Sequence, residues 1–201
     1  MNSRTDLISA ATKVFATRGY RAASLRDIAE AAGIQRGSVY HHVTSKEELL
    51  LEGMLPALEQ TTVEVEKLIE AALAEQEPDF EVALRSAINT HMHCLYVNES
   101  LEGVKAYLAE NLLASHSDLT SDAKSRLRML TRRHERNFAR LYAAGIAAGT
   151  FREDMDPLLE AYLVLGSCNW VSRWYHPGRR WSLDRIADAI ADTALAGALK
   201  R

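Results

Sequence analysis

Residues 24–46, SLRDIAEAAGIQRGSVYHHVTSK, decide the fold. Ser24 can accept from the free backbone N–H groups opening a helix whose third position is Asp27, and Leu25, Ile28, Ala29 and Ala32 then share one apolar stripe. Gly33 stands where a left-handed residue would end that helix. Ile34 is the apolar plug before a second short helix, expected from Gln35 to about Val43. That helix buries mainly Val39, which leaves Gln35, Arg36, Ser38, His41 and His42 on faces rich in donors and acceptors. The pair reads as a helix-turn-helix. A polar second helix of this kind fits a major groove, where Arg can bond guanine in bidentate fashion and Gln can pair with adenine.

The flanks supply what a helix-turn-helix needs to be covered. Upstream, Leu7, Ile8, Ala11, Val14 and Phe15 form a helical stripe that stops at Gly19-Tyr20. Downstream, Ser45-Lys46-Glu47-Glu48 is a capping box that opens a helix carrying Leu49, Leu50 and Met54. Three helices, a glycine turn, Tyr40, His42 and then Ser45 to Glu48 closely resemble the DNA-binding end of the TetR family of one-component transcriptional regulators, specifically over residues 5–55. The resemblance implies that Tyr40, His42 and Lys46 hold phosphates, with Ser24 assisting and His41 at the groove edge. Arg36 is the first choice for base recognition, with Arg26, Gln35, Gly37 and Ser38 as neighbours. The missing side chain at Gly37 lets backbone approach the groove.

The whole chain has 201 residues, 47% of them apolar and 25% charged, which suffices for an ordinary core and argues against disorder. A net charge of −3 looks wrong for a DNA partner until the chain is divided. Residues 1–46 hold seven Lys/Arg against three Asp/Glu, a net +4, which leaves −7 for the remainder. Positive charge sits where phosphates would be met. Two cysteines, Cys94 and Cys168, read as reduced core thiols. With no apolar signal core and no run long enough to span a bilayer, the expectation is a soluble cytoplasmic protein without a membrane partner.

Beyond residue 46, the helix from Ser45 is expected to run to Gln76 past Pro56, followed by helices at about Phe80–Asn98, Leu101–Ala114 and Ser121–Ala148. Asp156-Pro157 starts another that lasts to Trp174, Pro177-Gly178 breaks it, and Ser182 caps the last. No sustained alternation marks a strand. The expected fold is all-α, with about nine helices: a three-helix DNA-binding domain over residues 1–46 and a larger helical ligand-binding and dimerisation domain over 47–201. The resemblance implies that the last two helices of each subunit build a four-helix dimer interface and that the middle helices enclose a ligand. The alanine-rich stripe through Ile186, Ile190, Ala194 and Ala198 permits close helix approach, as does intramolecular packing alone.

Catalytic signatures are absent. No Glu is followed by His three residues later, which removes the commonest metal motif of helical bundles, and there is no phosphate loop or nucleophile elbow. His91, His93 and Cys94 read as core or pocket residues in preference to metal ligands. The expectation is a regulator without enzymatic activity, metal or cofactor. Arg126, Arg128, Arg132, Arg133, Arg136 and Arg140 read as a solvated face, the alternative being that Arg132, Arg133 or His134 lines a cavity mouth. Trp170, Arg173 and Trp174 share a face and serve either the dimer interface, most directly Trp174, or a ligand wall. The segment 169–178 is similar to the end of the penultimate helix in KstR- and FadR-like members of the family, which respond to acyl-CoA thioesters. It departs from them at Arg179-Arg180, where a glycine is often found. The expected effector site comprises His91, Tyr96, Asn111, Asn137, Trp170 and Arg173. The expected partners are a palindromic double-stranded operator, a small hydrophobic effector with acyl-CoA as the candidate, and a second copy of the chain. A DNA-binding regulator with no small-molecule ligand is the first rival reading, and a helical-bundle enzyme, which would need a bound cofactor, is the second.

Overall fold

The computed structural model describes residues 4–96 and 119–200. The helix expected at 101–114, and Asn111 with it, lie outside the described residues. Eight α-helices are described: α1 (Arg4–Arg18), α2 (Leu25–Ala31), α3 (Arg36–Val39), α4 (Lys46–Leu73), α5 (Phe80–Tyr96), α6 (Ser121–Ala147), α7 (Pro157–Trp170) and α8 (Leu183–Ala198). The only bridge of β type among them pairs Phe151 with Leu199, so the all-α expectation holds for the described residues.

The chain forms two compact units. One comprises Met1–Glu59 with Leu95–Leu127, and the other Gln60–Cys94 with Arg128–Arg201. This division differs from the one expected after residue 46, and Leu49, Leu50 and Met54 of α4 are buried in the first unit. A Cβ on Gly53 would meet the Thr12 hydroxyl of α1 at 2.9 Å, so this glycine sets how closely the two helices approach.

In the first unit the local signals are obeyed. Ser24 caps α2: its Oγ accepts from Asp27 N at 3.2 Å, and the Asp27 carboxylate accepts from Ser24 N at 2.9 Å. These bonds hold the Asp27 carboxyl below its ordinary range, with Arg18 adding to them. Gly33 ends α2 at φ +66°, and Ile34 N reaches back to Ala29 O. The second helix is shorter than expected. Regular α geometry covers only Arg36–Val39, and His41 and His42 continue it through tighter bonds to Ser38 O and Val39 O. At the start of α4, Ser45 Oγ accepts from Glu48 N, but the Glu48 carboxylate turns to Thr44 N and Thr44 Oγ1. The reciprocal half of the expected capping box is thus displaced by one residue.

The second unit packs α5, α6, α7 and α8 with the later part of α4. Phe151 lies against Gly145, where a Cβ would come within 2.3 Å of its ring, and it contacts the Tyr142 and Phe80 rings. Arg85 of α5 pairs with Asp188 and Asp192 of α8, and Arg133 of α6 pairs with Glu66 of α4. Helix α7 is shorter than the sequence suggests. It ends at Trp170 and tightens into a 3₁₀ turn over Val171–Arg173.

Candidate DNA interface and ligand-binding unit

The helix-turn-helix presents an open polar surface. Gln35, Gly37, Tyr40, His41 and His42 are exposed, Ser38 is half-buried, and Val39 is fully buried as the anchor. Gln35 caps α3 by backbone position alone, with no side-chain bond to the helix. A Cβ built on Gly37 meets nothing within 4 Å, so this side of α3 has no protein neighbour at that point. Arg26 is exposed on α2. Arg36 is the first residue of α3, and Gln35, where the helix is expected to begin, is its N-cap.

Two residues assigned to phosphates are instead engaged within the protein. Lys46 Nζ donates to Tyr20 O at 2.8 Å, Ala23 O at 3.1 Å and Arg21 O at 3.2 Å, and it stands 4.5 Å from the centre of the Tyr20 ring. Its three N–H groups are matched by three carbonyls at the end of the α1–α2 turn, so Lys46 is a staple of that turn. Ser24 is likewise occupied as a cap, its hydroxyl donating to Asp27 Oδ2 at 2.6 Å. His42 contributes through its backbone as well, since its carbonyl accepts from Arg4, whose guanidinium also bonds Glu48 and Glu52. The sequence does not show Arg4 in this role, because a basic residue near a chain end is read as a solvated charge.

In the second unit, the expected effector residues separate. His91 and Asn137 are buried. His91 Nδ1 stands 2.9 Å from His134 Nε2, the two rings stack with centroids 4.9 Å apart, and Phe138 meets both edge-on. Burial, and then the neighbouring His134, drives the His91 pKa well down, opposed by Asn169; burial alone brings His134 down to about 4. Both imidazoles are therefore neutral at physiological pH. Tyr96 is buried but belongs to the first unit.

Trp170 is a correction. It is 53% exposed, with the Arg173 guanidinium 5.1 Å from its ring centre, so it does not face the interior. The turn of α7 that carries it points Cys168 inward, where burial pushes the thiol up to about 12. His134, named above as a candidate for a cavity mouth, lies within an arginine-rich run. Arg132, Arg136 and Arg140 lie exposed on one stripe, as expected, while His134, Asn137 and Phe138 occupy the opposite one. The periodicity His134, Asn137, Phe138, Leu141, Tyr142 is the signal in the sequence that marks this inner face.

The last two helices leave a large apolar face uncovered. Leu159, Tyr162, Leu163 and Trp170 of α7, with Trp174 and Trp181 beyond it, are exposed. Between α7 and α8 runs an open groove of about 690 Å³, lined by Leu163, Trp174, Trp181, Ile186, Ile190 and Ala194 among others. Ala198 does not belong to that face. It is fully buried within its own subunit, where its carbonyl accepts from Arg152 N, and Ile186 is mostly buried as well.

Among the described residues no group of three metal-ligating side chains converges, and no helix is long and apolar enough to cross a membrane. A three-helix unit with an open helix-turn-helix, on a chain that continues into a helical bundle, defines the class of one-component transcriptional regulators. The comparisons with known proteins make this specific. Residues 7–52 match the model for bacterial regulatory proteins of the tetR family, and residues 83–198 match the tetracyclin repressor-like C-terminal domain. The chain is 30% identical over 196 residues to the transcriptional repressor KstR2 of Rhodococcus jostii, covering 96% of this chain and 90% of that protein. The crystal structure of PfmR, a TetR family regulator from Thermus thermophilus, superposes with a TM-score of 0.79 at 30% identity, over 97% of this chain and 99% of that one. AibR, solved in complex with isovaleryl coenzyme A and operator DNA, shares the fold with a TM-score of 0.78 at 21% identity, over 94% and 96% of the two chains. This chain belongs to the TetR family and is a transcriptional regulator.

Proposed function

We propose that the chain acts in the cytoplasm as a homodimeric repressor, without enzymatic activity, which binds a palindromic operator through α3 and releases it when an acyl-CoA thioester enters the second unit. The observation that carries the DNA half is the open face of α3, where Gly37 has no neighbour and Gln35, Tyr40 and His41 are exposed. Arg36 reads bases beside Gln35 and Ser38, with Arg26 nearby, and Tyr40 and His42 meet phosphates. The acyl-CoA half draws support from the relatives, one of them solved with isovaleryl coenzyme A and operator DNA together. Two copies join through the apolar face of α7 and α8, centred on Leu163, Trp174, Ile190 and Ala194, because an apolar surface of this extent on a single chain marks an interface. Helix α4 runs from Lys46 in the first unit to Leu73 in the second, past Pro56, and effector binding can act on it.

The test begins with operator selection from genomic fragments by the purified protein. The labelled operator complex is then titrated with acyl-CoAs of graded length, with free fatty acids as controls. Release by thioesters alone supports the proposal. If an unrelated ligand releases DNA while thioesters do not, the effector class is wrong. Binding to DNA that no ligand changes favours a regulator controlled by other means.

A further inference from the structure

The buried polar groups of the second unit are arranged in a way that packing does not explain. His91 Nε2, His134 Nδ1 and Asn137 Nδ2 are all buried without a hydrogen-bonding partner. His134 and Asn137 stand one turn apart on the same face of α6, and His91 faces them from α5. Asn169 of α7 approaches His91 closely enough to favour a proton there, without reaching a position that satisfies Nε2. Native interiors pair nearly all such atoms, and one unpaired group is already uncommon. Three such atoms on two facing helices bring no benefit to folding, since apolar residues of the same shape would pack there without the cost of desolvation.

The chemistry of the cluster is set by proton counting. Two neutral imidazoles carry one N–H each, and the contact between His91 Nδ1 and His134 Nε2 uses one proton. Whichever ring donates, the linked pair shows one N–H and one lone pair at its outer nitrogens. Asn137 Nδ2 adds two further donors. The site is thus rich in donors, holds one acceptor and carries no charge. A carbonyl oxygen can take bonds from Asn137 and from the outward imidazole N–H, and a hydroxyl can also donate to the outward lone pair. A carboxylate is disfavoured, because His91, His134 and Asn137 themselves carry no positive charge to offset a buried one. A saturated alkyl chain would leave every one of these atoms unsatisfied.

We propose that His91, His134 and Asn137 form a recognition site for a ketone or hydroxyl group borne on the acyl part of the effector. This rests on the acyl-CoA reading above and narrows it from fatty acyl thioesters to oxygenated ones.

The labelled operator complex is titrated with saturated acyl-CoAs, and with thioesters of equal length bearing one keto or hydroxyl group at successive positions. For at least one position the oxygenated thioester is expected to release DNA at a concentration roughly tenfold lower or less. Asn137→Leu, close in shape, should erase that preference while leaving operator affinity without effector unchanged. His91→Phe provides a second variant should the first fail to fold, and the absence of any preference in the parent protein refutes the site by itself. If saturated and oxygenated thioesters release DNA equally at every position, the oxygen site is refuted and the acyl-CoA reading stands. If no thioester releases DNA, both fall. A preference that survives both substitutions means that the oxygen is read elsewhere, which also overturns the proposal.

Discussion

Replacing Lys46 by methionine keeps most of the aliphatic stem and removes the ammonium that bonds Tyr20 O, Arg21 O and Ala23 O. A hydrogen bond to a charged group contributes about 1.5–3 kcal/mol, but three bonds sharing one ammonium are not additive, and water can reach the carbonyls of this half-exposed turn. Loss of the contact with the Tyr20 ring adds about 0.5–1 kcal/mol. We therefore expect a cost of about 2–3 kcal/mol in the first unit, which urea unfolding followed by circular dichroism would resolve as a lower midpoint at unchanged slope. Operator affinity should fall only through that loss of order. The dependence of log K on log salt should keep its slope, because a residue bonded to carbonyls releases no counterion on binding. A phosphate ligand behaves in the opposite way: its removal would leave the unfolding midpoint in place and reduce the slope by about 0.9. That second pattern would refute the staple and restore Lys46 to the DNA interface.

Three further outcomes follow from the geometry. Gly37→Ala should fold at least as well as the parent, gaining up to about 1 kcal/mol in helix propensity, yet bind operator more weakly because the methyl meets DNA; equal affinity would show that this face is not the contact. Burial holds His91 and His134 below their unfolded values, so the unfolded chain takes up more protons. Stability is then full above about pH 6.5 and falls toward pH 4, by on the order of 3 kcal/mol for His134 alone, and a flat unfolding midpoint between pH 7.5 and 5 would contradict it. Ala194→Arg places a charge in the groove between α7 and α8 and should yield monomers with weak operator affinity, whereas sedimentation as an unchanged dimer would move the interface elsewhere.

What could be read from the sequence is what neighbouring residues decide. Ser24 with Asp27, Gly33 after α2, Asp156 before Pro157 and Ser182 before α8 all mark real boundaries, because caps and left-handed glycines act within four residues of themselves. Interactions that span longer stretches were hidden. Lys46 lies 23 to 26 residues from its carbonyl partners, and His134 lies 43 from His91, so nothing local distinguishes a staple from a phosphate ligand or a buried histidine from a solvated one.

Helix α7 shows how far one sequence can speak for an assembly. Residues 157–170, PLLEAYLVLGSCNW, are apolar almost all round, and a helix of that kind is covered on every side in its working state. Within one subunit, Ala161, Val164, Leu165 and Cys168 are buried, while Leu159, Tyr162, Leu163 and Trp170 remain exposed. The sequence therefore showed that two surfaces must meet this helix without showing which surface each face meets. An interior role for the tryptophans and an interface role both satisfied the pattern. The structure divides them: the inward face is small and aliphatic, and the outward face carries the bulky rings. Covering those rings removes a contiguous apolar area from water, which is the physical reason to expect a second copy there.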